Sequence, residues 1–489
     1  MHTGGERPRR GAANERCDVF VLGMDAFNRA TLERLPEAGR YRFHPLLTTQ
    51  QVRRAAGYDF DRLLDAAARQ LDVFPGSIEA ITTWWDFPAT GLAAALSRGW
   101  ELPGPDLAAV LTLEHKYWSR LVQQSVAASH IPAFAVLDPF DGDALSHVIE
   151  QGISFPFWVK PVKAVGSYLG FRIESRADFE VAMATMRAGI GLFGDPLQQA
   201  LDRIEAPPAV ASAGGRAAIA EQIIGGQQCT LEGYVSAGKV ATYGVVDSHR
   251  EPGRSTFSAY IYPSQLPVPI QRHMADIATA VVTAAGLDHC CFNAEFYYES
   301  ATDQLWLLEV NTRLSQSHCE LFAAVDGVSS QRAMLEVAQG RSPHMPHRQG
   351  AHRVAGKHFL RAHQDGVVRR VPDEAELARV ARCFPDTRIV LEVRAGDRLG
   401  DLPVQESYSY ELGYVLAGAE SHERLVADVA EITTMLPVEI DTDPNVALPL
   451  ALHPDPGPRS GGAGRDAAQG GRGARPAAAH RLDRAGTPP

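Results

Sequence analysis

Along the first hundred residues short apolar runs alternate with stretches of helical spacing. Asp18–Leu22, Tyr41–Leu47 and Ile78–Thr83 read as strands, and Ala26–Leu35, Tyr58–Leu71 and Pro88–Leu96 as helices, the alternation of parallel βαβ units. The first turn, LGMDAF, lacks the GxGxxG fingerprint, so no dinucleotide is expected there. Leu107–Ala128 keeps helical spacing throughout and ends before Ile131-Pro132, because the residue preceding proline is pushed out of the helical region. FPFWVKPVKAVGSYLGFRIES then reads as a strand ending near Lys160, a loop with Gly166 and Gly170, and a return strand. Ser175 followed by Asp178 signals the start of a helix over Arg176–Met186. Between Phe193 and Ile219 alanine, glycine and proline accumulate, which predicts a loop-bearing insertion. Several strands, a helix over Gln271–Ala285 and a hairpin follow. A smaller α+β unit then runs from Arg353 to about Ile440, with a strand at Arg388–Val393 and a helix at His422–Met435.

The hairpin carries the chemistry. In FNAEFYYESATDQLWLLEVNTRLSQSH, Phe292 to His318, two apolar runs flank a polar turn near Thr302. Residues two apart share a strand face, so Asn293 and Glu295 point together, as do Glu309 and Asn311. A turn at Thr302 sets Glu295 opposite Glu309 and Asn293 opposite Asn311. Facing carboxylates on apolar strands repel and are partly desolvated, so they require a proton or a cation. Carboxylate and amide oxygens without sulfur or clustered imidazole select a hard ion such as magnesium, which shares its shell with phosphates. A surface ion pair between Glu309 and Arg313 is the competing explanation. Upstream, Lys160 precedes a loop with Gly166 and Ser167, where backbone amides and an ammonium can reach phosphate oxygens. AEQIIGGQQCTLEGY, from Ala220 to Tyr234, sets Glu221 before an apolar pair and a glycine turn.

Composition narrows the setting. At 489 residues the chain can bury several cores, with 45% hydrophobic and 21% charged residues as in ordinary globular proteins. A net charge of −11 argues against a nucleic-acid partner, whose phosphates demand clustered cations. The six cysteines form no metal spacing and no apolar run spans a bilayer, so a cytoplasmic protein away from membranes is expected. Only five of the 47 cationic residues are lysine (Lys116, Lys160, Lys163, Lys239, Lys357), which makes each one a candidate for a role arginine cannot fill. From His453 onward Leu482 is the sole large aliphatic or aromatic residue, and this tail cannot build a core.

Taken together, these motifs resemble the ATP-grasp superfamily, most closely the branch of biotin carboxylase and the carbamoyl-phosphate synthetase large subunit, over about Cys17 to Ile440. The resemblance implies an α/β and α+β fold. A disordered extension (1–16) would precede a Rossmann-like pre-ATP-grasp domain (17–106). An ATP-grasp domain (107–350) with a mobile lid at about 151–222 would follow, then a C-terminal α+β domain (351–445) and a disordered tail (453–489). It assigns nucleotide contacts to Lys116, in LEHKYW after LPGP, and to Lys160, Gly166, Ser167, Glu221, the Gln222 carbonyl and the Ile224 amide. Gln228 falls where relatives carry a ribose-binding glutamate. Magnesium, or manganese in its place, would lie on Glu295, Glu309 and Asn311, with Arg313 and Lys160 stabilising phosphate charge during catalysis. Ser317, His318 and Arg250 are candidate substrate contacts. The branch places a glutamate-histidine pair after the arginine, but here Ser315-Gln316-Ser317-His318 stands there, so the base for bicarbonate is missing. The resulting expectation is an ATP- and magnesium-dependent ligase that activates a small-molecule carboxylate as an acyl phosphate for attack by an amine, with a homodimer as the candidate assembly. The alternatives are a biotin carboxylase-like subunit, suggested by VRAGDRL to SYELGYVLAG, and a nucleotide-binding protein without catalysis.

Overall fold

The computed structural model describes residues 16–53, 57–252, 254, 256–402 and 409–442, all within one contact unit, Met1–Gly457. Residues 1–15 of the expected extension and the expected tail lie outside the described residues.

The N-terminal pattern gives strands β1 (Cys17–Leu22), β2 (Tyr41–Leu46) and β3 (Ala80–Thr82) in a parallel sheet of order β2-β1-β3. From Val19 to Leu22 β1 is a continuous apolar run because both its faces are covered. Val19 and Val21 pack with Trp84 and, far along the chain, with Cys291, Leu314 and Met334. That shared core holds the end of this sheet against the segment following the hairpin.

The single helix expected over Leu107–Ala128 is two, Leu107–Glu114 and Lys116–Ala127, broken at His115. His115 is fully buried and extended, and its Nδ1 accepts the Trp118 amide at 3.3 Å, capping the second helix. The freed Lys116 amide donates to the Val162 carbonyl at 2.8 Å. The break therefore serves a tertiary hydrogen bond that apolar spacing does not record.

A four-stranded antiparallel sheet of order β4-β7-β5-β6 comes next, from β4 (Phe134–Leu137), β5 (Phe157–Pro161), β6 (Phe171–Ile173) and β7 (Ala218–Gln222). Ser175 caps its helix as expected, over Arg176–Gly189. The supposed insertion at Phe193–Ile219 is instead largely helical, over Gly191–Leu201 and Pro208–Ala213, and then enters β7. Phe193, Leu197, Ala200 and Leu201 form a buried stripe at helical spacing, and the last three join the N-terminal core. The glycines that suggested a loop permit close packing: a Cβ on Gly215 would lie 2.1 Å from the Gly194 carbonyl oxygen.

Eight strands form the main sheet, of order β12-β11-β8-β9-β10-β13-β16-β15. They are β8 (Gln227–Ser236), β9 (Lys239–Arg250), β10 (Phe257–Tyr262), β11 (Cys290–Glu299), β12 (Gln304–Asn311) and β13 (Val354–Ala362). After β14 (Gly366–Arg370), which leaves this sheet, come β15 (Arg388–Leu391) and β16 (Tyr410–Ala419). β17 (Glu439–Thr442) pairs with β14 in a two-stranded sheet. Phe292, Ala294 and Phe296 turn to one face and pack with Met274, Ile277, Val281 and Val282 of the helix Val268–Ala284. The period of two then sends Asn293, Glu295 and Tyr297 to the opposite face. Among the described residues no helix is long and apolar enough to cross a membrane.

Candidate active site

The β11–β12 hairpin has the register read from its sequence: Glu295 pairs with Glu309 and Asn293 with Asn311. Beyond that pair Phe296 meets Leu307, so Leu308 is the extra residue of a β-bulge. Arg120, 2% exposed on the helix Lys116–Ala127, caps the bulge by donating to the Leu307 and Leu308 carbonyls at 3.0 and 2.9 Å. The same guanidinium reaches Glu221 of β7 at 2.6 Å. One buried cation thus ties β7, which carries the candidate nucleotide contact Glu221, to the strand carrying Glu309.

Burial opposes ionisation of both facing acids. Glu295 is pushed above the usual carboxylate range, first by burial and then by the Glu309 charge. At Glu309 burial is overridden by the ammonium groups of Lys116, then Lys160 and Lys163, which hold it below the ordinary range. Lys116 Nζ lies 3.6 Å from the Glu309 carboxylate. Arg313 does not pair with Glu309, which removes the simple surface ion-pair explanation; it grips Asp86 at 2.7–2.8 Å, on the loop following β3. The Asn311 side chain donates its nitrogen to Asn293 Oδ1 at 2.9 Å and leans on Glu295 Oε1 at 3.4 Å, so its oxygen is the acceptor end.

A magnesium ion fits this donor set. Two desolvated carboxylates, one of them resisting ionisation through burial and then the charge of the other, gain most from a divalent ion that lets both ionise. Among the described residues no group of three or more His, Cys, Asp or Glu side chains is poised for a metal, so an ion on two glutamates and an amide would complete its shell with phosphate and water.

Beside the hairpin lies a cleft lined by Lys116, Lys160, Lys163, Glu114, Glu221 and Glu309 among others. Lys160 Nζ sits 2.6 Å from Glu221, and Arg120 and Lys160 together hold that carboxylate at about 2 despite its burial. Lys163 pairs with Glu114, which also accepts from Thr90 and Thr312 at 2.8 and 3.1 Å. Between β5 and β6, Gly166, Ser167 and Leu169 all have left-handed backbones, at φ 59°, 60° and 54°. Two of these are not glycine, a strain on the order of 1–2 kcal/mol each of the kind kept where backbone groups must be aimed.

The structure places the remaining candidates as follows. Gln222 ends β7, with its amide on the Ala133 carbonyl at 2.9 Å, and Ile224 lies in the turn toward β8. Gln228 donates to Glu295 Oε2 at 3.0 Å and accepts from Arg250 at 2.6 Å, so Arg250, Gln228 and Glu295 form one chain. A ribose hydroxyl would compete for that amide. His318 is buried with Nδ1 2.8 Å from Glu232, and Ser317 Oγ is 3.2 Å from Lys357 Nζ. Sequence reasoning missed Arg120, Asp86 and Glu232, and singled out Lys163 and Lys357 only as scarce lysines without assigning them a place. Asp86 carried only the weaker signal of following a parallel strand.

A cleft between two sheets, with facing acids on a hairpin and lysines across from them, defines a class, and residues 153–320 match the ATP-grasp domain family: the chain carries an ATP-grasp domain over that span. A D-alanine–D-alanine ligase of Synechococcus sp. (strain CC9605) is 27% identical over 203 residues, 40% of this chain and 51% of that protein. The match thus spans about half the length of that curated relative. The fold resembles that of an L-amino acid ligase from Bacillus licheniformis (TM-score 0.64, 17% identity, 87% of this chain and 99% of the other). It also resembles the biotin carboxylase domain of the Hydrogenobacter thermophilus 2-oxoglutarate carboxylase, solved with MgADP and bicarbonate (TM-score 0.56, 13% identity, 87% and 91%).

Proposed function

We propose that this chain is an ATP- and magnesium-dependent carboxylate-amine ligase. The observation that carries the reading is the in-register pair of Glu295 and Glu309, flanked by Asn311 and faced by Lys116. Glu295, Glu309 and Asn311 would hold magnesium, which when bound neutralises the nucleotide phosphates and shares their oxygens. Lys116, Lys160 and Arg313 supply positive charge where the γ-phosphoryl group leaves ADP for a substrate carboxylate oxygen. To act there, Lys160 exchanges Glu221 for phosphate and Arg313 loosens from Asp86. The incoming amine then attacks the acyl carbon; the C–N bond forms, the C–O bond to phosphate breaks, and the amine proton passes to solvent. Products are an amide, ADP and phosphate. The Gly166–Gly170 loop, acting as a lid, would exclude water that otherwise hydrolyses the acyl phosphate.

The test is phosphate release by the full chain with Mg-ATP against amino acids, dipeptides and bicarbonate, with ADP and AMP separated. Amino-acid-dependent ADP and phosphate support the ligase reading. AMP and pyrophosphate, or release that needs only bicarbonate and free biotin, contradict it.

A further inference from the structure

Strand β12 changes phase along its length. Near the turn Glu299 pairs with Gln304, Tyr298 with Leu305, Tyr297 with Trp306 and Phe296 with Leu307. Continued without interruption, that register would set Leu308 opposite Glu295, Glu309 opposite Ala294 and Val310 opposite Asn293. Ala294 is fully buried in the core shared with the helix Val268–Ala284, so Glu309 would point into apolar packing and the two acids would not face each other. The burial of β12 records the shift that prevents this. Leu305, Leu307 and Val310 lie in the core, with both Leu308 and Glu309 partly exposed between the last two. One extra residue, Leu308, therefore returns Glu309 and Asn311 to the face of Glu295.

A bulge disrupts the hydrogen-bond ladder locally, and its backbone groups have to be held from elsewhere. Arg120 does this from the helix Lys116–Ala127, donating to the carbonyls of Leu307 and Leu308, the two residues at which the phase changes. With Glu221 and Gln123 added, four of its five N–H donors are used. A planar guanidinium serves β7, the bulge and its own helix at once, which a single ammonium cannot do. Arg120, Leu308, Glu309 and Asn311 all line the same cleft. The apolar pattern of β12 favours the shifted phase, since Val310 fills the core, but it supplies no donor to fix the two carbonyls in the bulged conformation.

We propose that Arg120 is a positioning residue for the metal site: by holding the bulge at Leu308 it keeps Glu309 and Asn311 on the face of Glu295, without itself touching the ion. This rests on the metal-dependent ligase reading above and names a residue on which its metal site depends.

The experiment measures two affinities in the full chain: that for Mn²⁺ in the presence of a non-hydrolysable ATP analogue, by electron paramagnetic resonance, and that for the analogue without metal, by calorimetry. In Arg120→Met the Mn²⁺ affinity should fall about tenfold or more beyond any change in the metal-free affinity, the range expected when a group supporting a metal ligand is lost. Arg120→Lys, which reaches fewer acceptors, should fall between that variant and wild type. Deleting Leu308 makes the ladder regular and still sets Glu309 opposite Glu295, so in the Arg120→Met background it should recover most of the lost Mn²⁺ affinity. Cooperative thermal denaturation establishes that each variant is folded; if Arg120→Met is not, Arg120→Lys with and without the deletion carries the comparison. A folded Arg120 variant with wild-type Mn²⁺ affinity overturns the proposal, as do equal losses for ion and nucleotide, or a folded deletion variant that recovers nothing. Those results leave the ligase reading standing, whereas unaltered Mn²⁺ affinity in Glu309→Ala removes both.

Discussion

Individual side chains here are arranged to make charge available at controlled cost. Glu309 is held below the ordinary carboxylate range by lysines despite its burial, while Glu295 is pushed above that range by burial and by the Glu309 charge. Glu309→Ala should therefore lower phosphate release on the order of 10²–10³-fold or more while shifting the melting temperature by only a few degrees, since it also removes a repulsion. Activity and thermal denaturation on the same preparation check this. Glu221→Ala should behave oppositely toward the fold: Arg120, 2% exposed, would keep only neutral partners, a loss of about 3–5 kcal/mol visible as a large drop in melting temperature. The facing acids were legible in the sequence because a strand's period of two fixes the face and the turn fixes the register. Arg313 with Asp86 and Glu114 with Lys163 were not, because neither partner in those pairs carries a local pattern pointing at the other.

At the scale of elements, the parallel N-terminal strands and the hairpin follow from apolar alternation, but two features do not. The bulge at Leu308 depends on Arg120, a residue on a helix nearly two hundred positions earlier. The break at His115 depends on a backbone partner at Val162 and on the histidine itself. His115 Nδ1 accepts from Trp118 and Nε2 contacts the Gly214 carbonyl at 3.2 Å, so both nitrogens are satisfied only in the neutral ring, and burial pushes its pKa down to about 4. Between about pH 4 and 6.5 the unfolded chain binds a proton at this site that the folded chain does not, so stability falls as pH is lowered through that window and is fully present above it. From pH 7 to 5 this amounts to about 2 kcal/mol. His115→Asn, which keeps a capping acceptor but cannot titrate, should lose less stability than wild type over that interval. Equal losses in the two proteins, followed by thermal denaturation at both pH values, would contradict the assignment.

Across the whole molecule, the site is assembled from parts that no single segment contains. The N-terminal sheet supplies Asp86, the broken helix Lys116 and Arg120, the four-stranded sheet Lys160 and Glu221, and the main sheet its acids. The stretch Phe193–Ile219 misled because its glycines and alanines report close packing against the N-terminal core, a tertiary fact with the composition of a loop. The main sheet continues past the acids into the C-terminal strands β13, β16 and β15. The most direct test of the central claim is the affinity for Mn²⁺, read by electron paramagnetic resonance in the presence of a non-hydrolysable ATP analogue. Wild type should bind one ion tightly, and Glu295→Ala and Glu309→Ala should each weaken it by at least tenfold while Lys357→Met leaves it unchanged. Unaltered Mn²⁺ affinity in both glutamate variants would show that the facing acids do not hold the metal.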